Sequence, residues 1–205
     1  MSVLDLLFGR SPAWSEVVYW CLDLETGGLK PARDPILAVG LVPVREGTIH
    51  LGEAYATLVR PDVPHTPDAD AMGAHHLVPF EYRDAPAMAT VALEIERRIG
   101  EGVLLFHHAR MDLGFLRAAF GRLGRPFPKR PVVDTVALLQ KLERQEKLIG
   151  GTRREETSLN LTDARRQLGL PDYPVHDALT DAVATAELFL VLRSRLGAER
   201  LRHLT

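Results

Sequence analysis

Four carboxylates and one histidine, spread over most of the 205 residues, are the side chains with chemistry to offer: Asp23 and Glu25 in VVYWCLDLETGGL, Asp112 in LLFHHARMDLGFL, and His176 with Asp181 in YPVHDALTDA. An oxygen-rich set suits hard cations, Mg2+ or Mn2+, and two such ions roughly 4 Å apart stabilise both the attacking and the leaving oxygen of a phosphodiester displacement. A histidine is the side chain most easily poised near neutral pH to take a proton from an attacking water. Zinc fits less well, because no pair of histidines is spaced with a third nitrogen or sulfur ligand. The adjacent pairs His75-His76 and His107-His108 should diverge and read first as loop or packing residues. The set therefore predicts a two-metal nuclease site, provided the fold brings three distant segments together.

Taken singly, each cluster has an ordinary explanation. Residues two apart on a strand share a face, so Asp23 and Glu25 would project together from the end of the first apolar run, yet an exposed strand terminus would look the same. Asp112, six residues after Phe106, would sit on the first turn of a helix, where a carboxylate is favoured by the helix dipole alone. His176 and Asp181 flank the start of the last helix and admit the same reading. What links them is the elements that precede them: if Val103 to Phe106 lies beside Val17 to Leu24 in a sheet, Asp112 emerges at the same carboxyl edge as Asp23 and Glu25.

Those elements can be read from hydrophobic periodicity. Val17 to Leu24 is an unbroken apolar run, the pattern of a strand buried on both faces, and it stops at Thr26-Gly27-Gly28. Ile36 to Val44 and Thr48 to Val59 read as two further strands joined by Arg45-Glu46-Gly47, which suits a hairpin. Pro61 to Pro79, with four prolines, reads as largely loop. A helix over Ala87 to Ile99, a strand at Val103 to Phe106, a helix over Met111 to Leu123, a short strand Pro131 to Val133 and a helix Thr135 to Leu148 then give βαβα order, which implies parallel strands and crossover helices. Gly150 to Ser158 lacks apolar residues and reads as loop, and Ser158 to Leu168 and Asp177 to Leu196 as the last helices. The chain divides into an N-terminal tail, residues 1–15, and a single α/β domain, residues 16–205.

Composition narrows the setting. An apolar content of 46% suffices for a sizeable core, and the net charge of −2 gives no global sign of a polyanion partner. A local one exists: Arg110, Arg117, Arg122, Arg125, Lys129 and Arg130 face only Asp112 across the same interval, as a phosphate-tracking surface or a solvated helix face would. Cys21 is the sole cysteine, which excludes an intrachain disulfide and fits a reducing cytoplasm. No signal peptide and no membrane-length apolar stretch is evident, so a soluble cytoplasmic protein is expected. There is no GxxxxGKS/T loop, GxGxxG fingerprint or GxSxG elbow.

In this order and at this separation the three clusters resemble the DnaQ-like superfamily of 3′-5′ exonucleases, in the branch with four acids and a histidine that includes proofreading epsilon subunits. The likeness runs from about Val17 to Leu196. The first family motif, DxETTGL, is matched by Asp23-Leu24-Glu25-Thr26-Gly27-Gly28-Leu29, with Gly27 in place of the second threonine. HNAxFDxxFL is matched at His107, Ala109, Asp112, Phe115 and Leu116, departing at His108 and Met111. HxAxxD is matched by His176, Ala178 and Asp181, and Asp134-Thr135 resembles the family's DT after its fifth strand.

The resemblance implies a ribonuclease H-like fold: a mixed five-stranded sheet of order 3-2-1-4-5, strand 2 antiparallel, flanked by helices. It implies that Asp23, Glu25, Asp112 and Asp181 hold two Mg2+ or Mn2+ ions and that His176 deprotonates the water. Leu24, Thr26, Gly27 and His108 would lie against the substrate, with nucleoside 5′-monophosphates released from a 3′ end, DNA favoured. An RNA-processing exonuclease of the same fold, or a catalytically weak nucleic-acid-binding module, stand as alternatives. The opening MSVLDLLF carries a loose echo of peptides that dock on sliding clamps, which adds a DNA polymerase or sliding clamp to a single-stranded or frayed 3′ end as candidate partners.

Overall fold

Alternate side chains of the first strand turn to opposite faces, and both faces are covered. The computed structural model describes residues 11–64, 82–148, 157–173 and 177–205. Strand β1, Tyr19–Thr26, sends Tyr19 and Cys21 into one apolar cluster and Trp20 and Leu22 into a second on the other side of the sheet. Its neighbours are β2, Ile36–Arg45, antiparallel, and β5, Val103–Phe106, parallel. Beyond them lie β3, Thr48–Ile49, β4, Tyr55–Leu58, and β6, Val132–Asp134. The order is β3-β2-β1-β5-β6, with β4 also on β2, so the expected mixed sheet with an antiparallel second strand is present.

One detail differs from the sequence expectation, for a chemical reason. The third strand is broken by a turn at Leu51–Glu53. The His50 N–H donates to the Pro43 carbonyl at 2.9 Å, but Pro43 has no N–H to return, so the ladder lapses and the His50 carbonyl accepts from Glu53 instead, at 3.0 Å. The link from β2 to β3 is a two-residue turn with φ of 51° at Glu46 and 78° at Gly47, the left-handed pair that matches hairpin twist. As expected, β1 carries both Asp23 and Glu25 at its carboxyl end, with an irregularity in register between Glu25 and Thr26.

Helices α1, Met88–Ile99, and α2, Ala109–Arg122, cover one face, burying Val91, Ile95, Phe115, Leu116 and Phe120. Helices α3, Thr135–Leu148, α4, Leu161–Gln167, and α5, Ala178–Arg195, cover the other with Leu138, Leu142, Leu188 and Phe189. Just ahead of β1, the Trp14 N–H donates to the Glu199 carbonyl at 3.0 Å and its ring lies 4.1 Å from the Arg193 guanidinium, so the two ends of the described chain meet. Among the described residues no helix is long and apolar enough to cross a membrane. The clamp-like MSVLDLLF segment, most of Pro61 to Pro79 and most of Gly150 to Ser158 lie outside the described residues.

One glycine governs how α5 meets the sheet. Gly40 of β2 is the cross-strand partner of Asp23, and a β-carbon there would stand 2.2 Å from the Ala178 carbonyl oxygen and 2.5 Å from the Leu179 nitrogen. Backbone therefore rests on backbone where α5 begins, next to Asp23. Replacing Gly40 with alanine must push the N-terminus of α5 off the sheet, and overpacking of this kind typically costs about 1–3 kcal/mol. Gly40→Ala is expected to lower the denaturant midpoint accordingly and to reduce activity more than the stability loss alone would; a variant with wild-type midpoint would show that the close approach is not needed.

Candidate active site

The acids arrive from three elements. Asp23 and Glu25 project from the carboxyl end of β1 on the face covered by α5, sharing it with Tyr19 and Cys21. Asp181 stands on the first turn of α5, whose N-cap is Asp177; the Asp177 carboxylate accepts from the Thr180 N–H at 2.8 Å and from its hydroxyl at 2.7 Å. One carboxylate oxygen from each of Asp23, Glu25 and Asp181 lies within 4.8 Å of the others. Asp112, on the first turn of α2, joins from the neighbouring strand–helix junction: it is only 8% exposed, and after burial itself its charge is the largest influence on Asp23. His176 lies outside the described residues, immediately before the N-cap of α5.

Burial and neighbouring negative charge drive Asp23, Glu25 and Asp112 toward the protonated form. Asp23 is raised well above the ordinary aspartate range, first by burial and then by the charges of Asp112, Asp181, Glu25 and Asp177. Glu25 is raised to about 8, by burial and then by Asp181, Asp177 and Asp112. Asp112 is raised chiefly by burial, with backbone hydrogen bonds at its own amide and at Leu24 pulling the other way. Among the described residues every charge acting on Asp23 and Glu25 is negative, and no Lys or Arg offsets them. A partly buried cluster of carboxylates offering several oxygens at ligand spacing is a donor set for a hard divalent cation.

Asp134 organises the approach to Asp112. Its carboxylate accepts from the His108 and Ala109 N–H groups, both at 3.1 Å, and from Val136 N–H at 3.0 Å, so one side chain at the end of β6 caps the starts of α2 and α3. Helix α2 consequently begins at Ala109, two residues earlier than periodicity suggests. His108 is left-handed, with φ of 64°. Asparagine, which the resemblance places there, and histidine are both enriched in that conformation, so the departure keeps the backbone.

The turn at His108 also reverses the expectation that the His107-His108 pair diverges. The two rings meet edge to face at 5.0 Å, and both Nε2 atoms reach the Leu159 carbonyl, at 2.8 Å and 3.0 Å. His107 Nδ1 meets the Thr135 hydroxyl at 2.7 Å, and burial pushes its pKa down to about 4. The pair clamps the segment before α4 to the site.

The substrate-side residues divide. The Thr26 hydroxyl donates to the Gly28 carbonyl at 2.8 Å and the Gly27 N–H to the Pro35 carbonyl at 2.9 Å, so both shape the β1–β2 turn. Gly28 packs so closely that an added β-carbon would lie 2.3 Å from the Asp34 carboxylate, which itself accepts from the Lys30 N–H at 2.8 Å. Leu24 is half-buried on the strand between the two acids. His108 lines a cavity of about 630 Å³ with Leu29, Pro31, Arg110, Met111, Gly114 and Asp134. Leu29 and Met111 are 78% and 42% exposed there, and they are apolar residues that spacing arguments did not select as substrate neighbours; exposure of large apolar side chains is the signal that marks them.

The sequence pattern of the RNase T exonuclease family matches residues 20–189. The chain belongs to this exonuclease family. It is 33% identical over 187 residues to a DNA polymerase III subunit epsilon-like protein of Rhodobacter capsulatus, covering 91% of this chain and 25% of that one. It is 29% identical to the DNA polymerase III subunit epsilon of Treponema pallidum, covering 86% and 76%. A putative bifunctional exonuclease/endonuclease protein of Mycobacterium tuberculosis is 29% identical, covering 96% and 31%. The chain thus spans a third or less of two of these relatives. In fold it resembles E. coli exonuclease I in complex with a dT13 oligonucleotide, with a TM-score of 0.75, 19% identity, and coverage of 88% of this chain and 42% of that one.

For this exonuclease domain the crowded acids set a measurable pH dependence. A carboxyl whose folded pKa is raised contributes its stability fully below its unfolded pKa and loses it as pH rises through the folded value; for Glu25 that range is from 4.5 to about 8. His107 acts oppositely but only below 6.5, its ordinary value. Between pH 6.5 and 8 the metal-free protein should therefore lose thermal stability as pH rises, and millimolar Mg2+ or Mn2+ should restore it at pH 8. Asp23→Asn should raise the metal-free melting temperature at pH 8 and weaken the response to metal. A melting temperature that is flat over this window would contradict the charge crowding.

Proposed function

We propose that the chain is a divalent-metal-dependent 3′-5′ exonuclease that releases nucleoside 5′-monophosphates from the 3′ end of single-stranded or frayed DNA, carried by one domain over residues 16–205 behind the tail 1–15. The observation that carries the proposal is the convergence of one carboxylate oxygen each from Asp23, Glu25 and Asp181 to within 4.8 Å of one another, with the buried Asp112 beside them.

Asp23, Glu25, Asp112 and Asp181 would hold two Mg2+ or Mn2+ ions. Bound there, the ions supply positive charge for the attacking and leaving oxygens of a phosphodiester displacement. His176 takes the proton of the attacking water; the water oxygen bonds to phosphorus, the 3′ oxygen of the penultimate nucleotide leaves, and a 5′-monophosphate and a shortened strand result. Leu24, Thr26, Gly27 and His108 line the path of the terminal nucleotide, and the cavity bordered by Leu29 and Met111 is large enough to receive a base. DNA as substrate is supported by the oligonucleotide in the exonuclease I structure, and association with a polymerase by the epsilon relatives.

The test is digestion of 3′-varied single-stranded DNA, duplex DNA with a mispaired end, and RNA, with and without divalent metal. Asp23→Ala and His176→Ala should each lower mononucleotide release by about 10²–10⁴-fold while leaving circular dichroism unchanged; undiminished activity in either would sink the mechanism. Met111→Ala should raise KM for oligonucleotides several-fold with kcat nearly unchanged, and Met111→Phe should retain wild-type KM; a Met111→Ala enzyme with normal KM would remove the cavity from the substrate path.

A further inference from the structure

The six basic residues between Arg110 and Arg130 are not equivalent in the fold. Arg122 is held by both oxygens of Asp62 and by the Pro31 carbonyl, Arg125 pairs with Glu96, and Arg130 is held by the Gly100 carbonyl and Glu101. Arg110, Arg117 and Lys129 are exposed and have no carboxylate or carbonyl partner among the described residues. Arg110 and Arg117 are seven residues apart on α2, two turns along one face and about 10 Å in rise. Arg110 borders the cavity beside His108, while Arg117 opens onto a second cleft of about 320 Å³ with Lys129 and Arg130 at its rim and Leu113, Phe127 and Val132 beneath.

The chain as a whole carries a net charge of −2, so a cleft with two exposed cations that have no partner among the described residues, and a third fixed in its wall, is not a by-product of general basicity. An apolar floor under cationic walls matches single-stranded nucleic acid, in which unpaired bases and phosphates alternate; a duplex keeps its bases stacked inside and offers such a floor nothing. We propose that this second cleft binds the strand upstream of the scissile 3′ end, with a phosphate held by Arg117 and Lys129 and the adjoining unpaired base against Leu113 and Phe127. The proposal rests on the exonuclease reading above and adds to it a second contact site several nucleotides from the 3′ end and a track along α2 between the two cavities.

The test compares wild type with the double variant Arg117→Ala/Lys129→Ala on three measurements. Fluorescence anisotropy of labelled (dT)16 in EDTA reads binding without turnover. The variant should bind about tenfold more weakly, and the salt slope of log K should fall by about 0.7, the value for the one single-strand phosphate that the variant no longer neutralises. Hydrolysis of the p-nitrophenyl ester of thymidine 5′-monophosphate, too short to reach the cleft, should keep its kcat/KM, whereas KM for (dT)16 should rise about tenfold. A charge-conserving Arg117→Lys/Lys129→Arg variant should recover most of the binding. Unchanged affinity and salt slope, or an equal loss on blunt duplex, would overturn the proposal. Failure of the wild type to hydrolyse the ester would count against the exonuclease reading instead, while the anisotropy result would still decide the cleft.

Discussion

Like-charge repulsion inside a low-dielectric pocket is the constraint the rest of this structure serves. Left to themselves, Asp23, Glu25 and Asp112 would take up protons or draw away from each other and from Asp181, because burial and neighbouring negative charge both penalise their charged forms. They are held together because each is mounted on an element anchored by an apolar core. Strand β1 is buried on both faces, and the first turns of α2 and α5 are tethered by the Phe115–Phe120 and Leu188–Phe189 segments farther along the same helices. The free energy that gathers the acids is thus hydrophobic burial some residues away, and the electrostatic cost at the sheet edge is one that a bound divalent cation would relieve.

Close approach and polar clamping translate that anchoring into geometry. Where α5 crosses β2, Gly40 lets helix backbone lie against strand backbone directly beside Asp23, which sets the height of Asp181 over the β1 acids. On the other side Asp134 draws the starts of α2 and α3 to one carboxylate, and His107 and His108 secure Leu159 behind them. None of these residues belongs to the anionic cluster, yet each limits how far a cluster residue can drift. Arg165 does the same for the far side of α5: 2% exposed, it donates to the Ala184 and Pro171 carbonyls and to Glu187.

Much of this was legible before any coordinates. The apolar run Val17 to Leu24 signals a doubly buried strand, the βαβ order predicts the parallel partner β5, and together they require Asp112 to surface at the edge that carries Asp23 and Glu25. The places where reading failed are chemical particulars. Pro43 interrupts the third strand through a missing N–H, an effect that acts across the sheet and not along the chain. His107 and His108 were expected to point apart because a strand would send them to opposite faces; a left-handed residue at His108 brings the rings together. Leu29 was passed over because apolar side chains in a sequence are presumed to be core, whereas Met111 stood out only as a departure from the family pattern.

The sequence by itself determined residue chemistry, the periodicity of each element and the order of motifs, since these depend on local stereochemistry and on which face of an element must be buried. Tertiary structure alone decided the carboxylate spacing within 4.8 Å, the double capping by Asp134, the close approach at Gly40, and which arginines are held by carbonyls and which are left to solvent. Those properties arise from groups far apart in the chain, as Gly40 and Ala178 are, and no local preference encodes a distance of closest approach between them.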